Sequence, residues 1–287
     1  MNQNTSLATA WRHYTEYHAG RPHTVTGDLR VLPHLYSPQL GNQRDILVYL
    51  PPSYPYGDWR YPVLYMHDGQ NLFDAHTSFA GEWQVDETVQ ALSREGVEAI
   101  VVGIPNTGRE RINEYSPFVD ALNGGGKGDG YLAFITDTVK PLVDAEFRTL
   151  RHRNFTGLLG SSMGGLISLY GFFSRPDAFG LAGVMSPALW FANQAVFRYV
   201  KQAEFSPGKI YLDAGPREYA GAAGSKKQRR TKSGRYSGSV RDMSELLAGK
   251  GYQPGASLKF VEETDAQHEE AAWARRLPDA LRYLLRP

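Results

Sequence analysis

The chain has 287 residues, with 31 lysines and arginines against 30 aspartates and glutamates, a formal net charge of +1, and 41% apolar and 12% aromatic residues. This is the composition of a folded globular protein rather than a disordered chain, and it offers no global positive field to hold nucleic acid. With no cysteine present, disulfides, thiolate nucleophiles and cysteine-ligated metal centres are excluded, so any nucleophile must be another side chain.

Residues 1–25 read as a polar, histidine-rich leader without the basic start or apolar h-region of a secretion signal. No apolar run approaches the ~20 residues that span a bilayer. A soluble, cytoplasmic protein is therefore expected. Asp28 to Leu35 and Arg44 to Leu50 alternate apolar and polar residues and end at Pro51-Pro52, which predicts two antiparallel strands with one face exposed. Short apolar runs follow at 61–67, 97–104, 155–160, 181–186, 209–215 and 257–263, of the kind that suits strands covered on both faces. Between them the spacing predicts helices over Val85–Glu95, Tyr131–Phe147, Ser162–Phe173, Ser239–Gly251 and Glu269–Leu285. Strands alternating with helices imply right-handed crossovers. The expected fold is one α/β domain over 1–287, with a mostly parallel sheet and antiparallel strands at its N-terminal edge.

Two segments do not fit this rhythm. Asn123 to Gly130 (NGGGKGDG) is rich in glycine before a helix, but it lacks the lysine and hydroxyl that end a phosphate-binding loop and reads as a flexible surface loop. The segment 220–238 gathers Lys226, Lys227, Arg229, Arg230, Lys232 and Arg235 among small residues. It reads as a solvated loop, with contact to an anionic substrate as the alternative.

The sharpest motif is Gly160-Ser161-Ser162-Met163-Gly164-Gly165, because an apolar strand precedes it and a helical pattern follows. A serine lifted clear of a sheet needs a tight turn with small neighbours two positions away, which Gly160 and Gly164 supply, so Ser162 is the candidate nucleophile. A hydroxyl needs a base, and histidine titrates nearest neutrality. Of eight histidines, His13, His18, His23 and His34 lie in or before the edge strands, His152 sits at the wrong end of the serine strand, and His67 and His76 fall at or near an early strand. His268 follows the last strand and precedes the last helix, where it can reach the carboxyl edge of the sheet. HEE at 268–270 lacks the second histidine of a zinc motif. The orienting carboxylate should follow the penultimate strand, where KIYLDAGPREY offers Glu218 in the loop and Asp213 within the strand; Glu218 is favoured and Asp213 remains open. The oxyanion donors should be the amide of Met163 and one from the loop after the strand YPVLYMH, where the Gly69 turn would aim the amide of Gln70. Asp68, Gly69 and Trp83 are expected to border the substrate. No metal and no cofactor are required.

Together, RDILVYLPPSY, YMHDGQNLFD with Trp83-Gln84-Val85-Asp86, GSSMGG, YLDAGPRE and His268 with Trp273 resemble the putative esterase family of α/β-hydrolases, over about Arg44 to Leu285. That family includes esterase D-like, enterochelin-esterase-like, feruloyl and acetyl-xylan esterases and the mycolyltransferases. The resemblance implies an oxyanion amide at Gln70, with Trp83 and Asp86 shaping the floor beside it. Where relatives often carry Gly-Thr-x-Glu or Asp, this chain has Gly215-Pro216-Arg217-Glu218. The expected function is a serine carboxylesterase acting on a small-molecule ester, with acyl transfer or a non-catalytic binding module as the alternatives.

Overall fold

The computed structural model describes residues 11–220 and 223–286, so residues 1–10 of the expected leader and two residues at the start of the basic segment lie outside it. The strands are β1 (Arg12–His13), β2 (Asp28–Ser37), β3 (Asn42–Leu50), β4 (Val63–His67), β5 (Ile100–Ile104), β6 (Val119–Asp120), β7 (Gly124–Gly125), β8 (Thr156–Ser162), β9 (Leu181–Pro187), β10 (Lys209–Ala214) and β11 (Leu258–Glu262). All but β6 and β7, which pair with each other, form one sheet in the order β1-β2-β3-β5-β4-β8-β9-β10-β11. Pairing is antiparallel from β1 through β3 to β5 and parallel from β5 to β11. The helices are α1 (Tyr14–Tyr17), α2 (Val85–Ser93), α3 (Arg111–Glu114), α4 (Gly128–Ala133), α5 (Lys140–Glu146), α6 (Met163–Ser174), α7 (Phe191–Gln202), α8 (Lys226–Lys250) and α9 (Glu270–Leu285).

Strand alternation sorts the core into two layers. Val63, Tyr65, Val102, Leu158, Val184 and Leu212 face one side, where α4 to α8 cover them with Tyr131, Val143, Leu166, Val196 and Val240. Leu64, Met66, Val101, Leu159, Met185 and Tyr211 face the other, under Val85 and Val89 of α2 and Trp273, Leu277 and Leu281 of α9. Each such side chain contributes about 1.5–3 kcal/mol by leaving water, which is why the parallel strands read as unbroken apolar runs. The chain leaves β4 toward β5 on one side, whereas β8 lies on its other side. The carboxyl ends of β4 and β8 therefore flank the crevice where the winding reverses, the usual ligand site of open α/β sheets.

The structure corrects several expectations. The leader is partly built into the fold: β1 extends the sheet, and Tyr14 is buried with its hydroxyl donating to Asp74 Oδ2 at 2.7 Å. That contact pins the loop that begins at Asp68 to the N-terminal segment. The strand predicted with an exposed face, β3, is covered on both, because both core layers extend over it, Ile46 and Val48 in one and Leu47 and Tyr49 in the other. The predicted helix over Tyr131–Phe147 is α4 and α5 joined by a π-helical turn at Phe134–Val139. Pro141 has no amide to offer the carbonyl of residue 137, so the α ladder cannot run through unbroken and the helix widens there. Helix α7, not anticipated, opens with Ala192, Asn193 and Gln194 all in left-handed geometry.

The glycine-rich stretch 123–130 is no free loop. Gly124, Gly125 and Gly126 all have positive φ, and their turn is fastened by the Gly125 amide to Asn113 Oδ1 at 2.9 Å and by the Gly126 and Gly128 amides to the Ser116 carbonyl at 2.8 and 3.0 Å. Amides spent in this way cannot cradle phosphate. The basic segment 220–238 is likewise not a loop: from Lys226 onward it is helix, continuous with the predicted Ser239–Gly251. Ser225 accepts from the Gln228 amide at 3.3 Å while its own amide donates to Gln228 Oε1 at 2.8 Å, a capping box that starts the helix. Among the described residues, no helix is long and apolar enough to cross a membrane.

Candidate active site

Strand β8 delivers Ser162 to the carboxyl edge of the sheet at φ 56° and ψ −118°, and α6 begins at the next residue. Two further residues on this edge also have positive φ: Asp68 (56°), after β4, and Ser186 (37°), in β9. Such backbone costs about 1–3 kcal/mol at each residue and collects where a site demands a particular geometry. The turn at Ser162 closes because its flanks lack side chains: a Cβ on Gly160 would lie 2.8 Å from His67 Cδ2, and one on Gly165 3.0 Å from the Met185 carbonyl oxygen.

The structure brings His268 and Glu218 together. His268 Nδ1 lies 2.6 Å from Glu218 Oε2, which leaves the other ring nitrogen for a different partner. Two aromatic rings fix the imidazole edge to face, Trp273 at 5.0 Å and Tyr236 at 5.5 Å between centroids. Glu218 Oε1 accepts from the Gly215 amide at 2.6 Å and the Ser186 hydroxyl at 2.8 Å. Burial works to raise the Glu218 carboxyl, but the hydrogen bond and charge of His268 outweigh it, and the group ends below the ordinary range.

Asp213 is also buried, but its hydrogen bonds go to other partners than His268. Its carboxylate accepts from the Ser186 amide at 2.9 Å and from Arg276 Nε at 2.9 Å. Burial pushes Asp213 up to about 6 against the pull of Arg276. Arg276 reaches onward to Ser186 Oγ at 3.0 Å and Glu263 at 3.0 Å, and the Tyr236 hydroxyl donates to the Ser186 carbonyl at 2.6 Å. Ser186 is thus the hub that joins the Asp213–Arg276 pair to the Glu218–His268 pair. Sequence reasoning found neither Ser186 nor Arg276. The signal for the latter was present: Arg276 stands in the stripe Trp273, Leu277, Ala280, Leu284 of α9, where a lone charge marks a buried partner.

On the β4 side, Gln70 lies in the short turn Gly69–Asn71 that follows Asp68. A Cβ on Gly69 would fall 2.7 Å from the backbone of Gly103 and Ile104, so this residue packs against β5 and lets the loop approach. Asp68 is gripped by Arg111 through two bonds of 2.7 Å and by Asn106 Nδ2 at 2.7 Å. Burial opposes the Asp68 charge, but Arg111 prevails and holds the carboxyl below its usual range. Asn106 also gives its amide to Gln70 Oε1 at 3.1 Å, so the strained turn is tied down from both sides. Asp68, Gln70, Trp83, Ser162, His268 and Trp273 line one cavity of about 1010 Å³, with the Trp83 and Trp273 rings 5.6 Å apart in its wall. The amide of Met163 opens α6 and is one of the helix-start donors without a partner inside the helix.

His67 lies beneath the turn, its Nδ1 2.8 Å from the Tyr131 hydroxyl and its Nε2 3.1 Å from Ser168 Oγ. Burial, against a weaker pull from Asp68, brings its pKa down from 6.5 to about 3. The folded ring stays neutral where the unfolded ring takes a proton, so stability present above pH 6.5 is lost as pH falls toward 3, at about 1.4 kcal/mol per unit. The urea midpoint of the native protein should therefore fall more steeply than that of His67→Gln as pH is lowered through this window; parallel curves would refute a neutral buried imidazole.

A crossover sheet with a strained serine between strand and helix, and a histidine on a carboxylate at the same edge, defines an α/β-hydrolase. Residues 37–284 match the family described as Putative esterase, and the chain belongs to that family. YbbA, an uncharacterized protein of Bacillus subtilis, is 29% identical over 185 residues, 62% of this chain and 70% of its own. The siderophore triacetylfusarinine C esterase of Aspergillus fumigatus is 29% identical over 161 residues, 54% of this chain and 53% of its own. Among solved structures, the siderophore hydrolase EstA of Aspergillus nidulans shares the fold with a TM-score of 0.69 at 19% identity, covering 90% of this chain and 95% of its own. Ester hydrolysis is the class of reaction that the family and its esterase relatives support.

Proposed function

We propose that the chain is a serine carboxylesterase working through an acyl-enzyme. Ser162 attacks the acyl carbonyl while His268 takes its proton; Glu218 holds the ring and stabilises its charged form; the amides of Met163 and Gln70 receive the developing oxyanion. His268 then returns the proton to the departing alcohol, and water, deprotonated by the same ring, releases the acid. The observation that carries this reading is the 2.6 Å contact of His268 with Glu218 at a cavity of about 410 Å³ whose wall also holds Ser162 at its strained turn. Asp68, gripped by Arg111, fixes the Gln70 turn, and Trp83 supplies apolar wall for the substrate.

The test is covalent labelling by a fluorophosphonate probe, with the adduct located by peptide mass spectrometry. Modification at Ser162, absent in His268→Ala, is expected; an unlabelled protein would turn the reading toward a binding module. Because two of the similar proteins named above act on siderophores, siderophore esters are the first natural substrates to assay.

A further inference from the structure

The helical form of the basic segment gives it a fixed place beside the candidate site. Lys226, Lys227, Arg230, Lys232 and Arg235 are exposed along the first three turns of α8. Among the described residues none of these five forms a salt bridge, whereas Arg241, further along the helix, pairs with Glu262 at 2.7 Å. The arrangement works against the helix: two lysines occupy the first turn, where the dipole favours anions, and Lys226/Arg230, Lys227/Arg230 and Lys232/Arg235 stack like charges at helical spacing. A bound anion would relieve both.

The same turns form part of the wall of the site. Tyr236 packs its ring on His268, Ser233 Oγ accepts from the Tyr219 amide at 2.9 Å, and Lys232 Nζ stands 6.0 Å over the Tyr219 ring. Tyr219 and Tyr236 line a second cavity of about 410 Å³ that reaches Ser162 and His268 from the side opposite Gln70. Glu269 is the exposed carboxylate on that wall, while Lys226 and Arg230 line a further cavity of about 290 Å³ together with Arg217 and Ser233. An alcohol protonated by His268 leaves along the imidazole, away from the oxyanion donors, and so toward α8.

We propose that the first three turns of α8 bind the alcohol arm of the ester, and that this arm carries two or more carboxylate or phosphate groups. The proposal rests on the esterase reading for its direction, and the experiment separates the two. In the variant Lys226→Gln, Lys227→Gln, Arg230→Gln, Lys232→Gln, Arg235→Gln, glutamine keeps helix propensity, and far-UV circular dichroism checks that α8 persists. Hydrolysis of the dianion 5-acetoxyisophthalate is compared with that of the neutral 5-acetoxyisophthalamide. We expect kcat/KM for the dianion to fall about tenfold or more, through KM, with the neutral ester changed less than about twofold. Raising NaCl from about 20 to about 500 mM should reproduce the loss in the native protein and not in the variant. Lys226→Arg, Lys227→Arg, Lys232→Arg should keep native selectivity.

Calorimetric binding of 5-hydroxyisophthalate to Ser162→Ala, with and without the five substitutions, needs no turnover. A dissociation constant raised about tenfold by the substitutions upholds the surface even if neither ester is cleaved, in which case the esterase reading alone fails. Equal binding, absence of binding to Ser162→Ala, or equal loss for charged and neutral esters overturns the proposal.

Discussion

With Ser162 replaced by alanine, kcat for p-nitrophenyl acetate should drop by about 10⁴-fold or more, and His268→Ala should fall to a similar floor, because nucleophile and base act as one unit and their losses do not add. In the proposed mechanism the residual rate over water would come from the amides of Met163 and Gln70, which neither substitution touches. Folding should survive both changes. Ser162 already holds φ 56°, and alanine asks nothing new of that backbone. Glycine does release it, so Ser162→Gly should be inactive but more stable by about 0.5–1 kcal/mol, since the strain is then removed. Thermal melting beside the steady-state assay reads both effects. Near-normal turnover in Ser162→Ala or His268→Ala would defeat the mechanism; a Ser162→Gly variant no more stable than the native protein would show that the turn is not strained.

The second large effect separates the two carboxylates. Glu218→Gln should lower kcat by about 10²–10⁴-fold, because it leaves the imidazole without the charge that fixes its tautomer and stabilises its protonated form. Asp213→Asn should cost far less activity, since Asp213 reaches the site only through Ser186 and Arg276. Its signature is in stability. A carboxyl raised by burial to about 6 binds its proton more tightly folded than unfolded, so its contribution is favourable at low pH and is lost as pH rises through about 6. Glu218 has the opposite sign: held below its ordinary value, it contributes stability above that range and loses it as the solution is acidified. From acid to neutral pH the urea midpoint of Asp213→Asn should therefore rise relative to that of the native protein, while that of Glu218→Gln falls relative to it. An Asp213→Asn defect in kcat exceeding that of Glu218→Gln would move the triad acid to Asp213.

The boundary between what could be read early and what could not follows the range of the forces. Local signals were sufficient to place Ser162 at the turn between β8 and α6, because such a turn needs its small neighbours in sequence. They were sufficient to place His268 beside it as a candidate, because chain order after the last strand sets it at the carboxyl edge. They narrowed the acid to Glu218 or Asp213 and favoured Glu218 for its place in the loop, but which carboxylate meets the imidazole turns on the one that Arg276 takes from α9. The N-terminal half of α8 was missed although its signals are local: the Ser225–Gln228 capping box, and the buried series Ser233, Tyr236, Ser237, Val240 at helical spacing. Six cations and several glycines masked the pattern. The expectation of a free leader failed for a different reason, because Tyr14 is buried only by virtue of Asp74, sixty positions away.

By itself the amino-acid order determined the strands β2 to β5 and β8 to β11, the helices α2, α6 and α9, and the candidates Ser162 and His268, all of which depend on periodicity and on neighbours within a few residues. Only the assembled molecule decided that Glu218 rather than Asp213 meets the imidazole, that Ser186 and Arg276 tie the two carboxylates together, and that the basic segment is a helix against the site wall. Those outcomes arise from side chains brought together across the sheet edge, where burial makes every charge find a partner, and no pattern along the chain encodes which partner that will be.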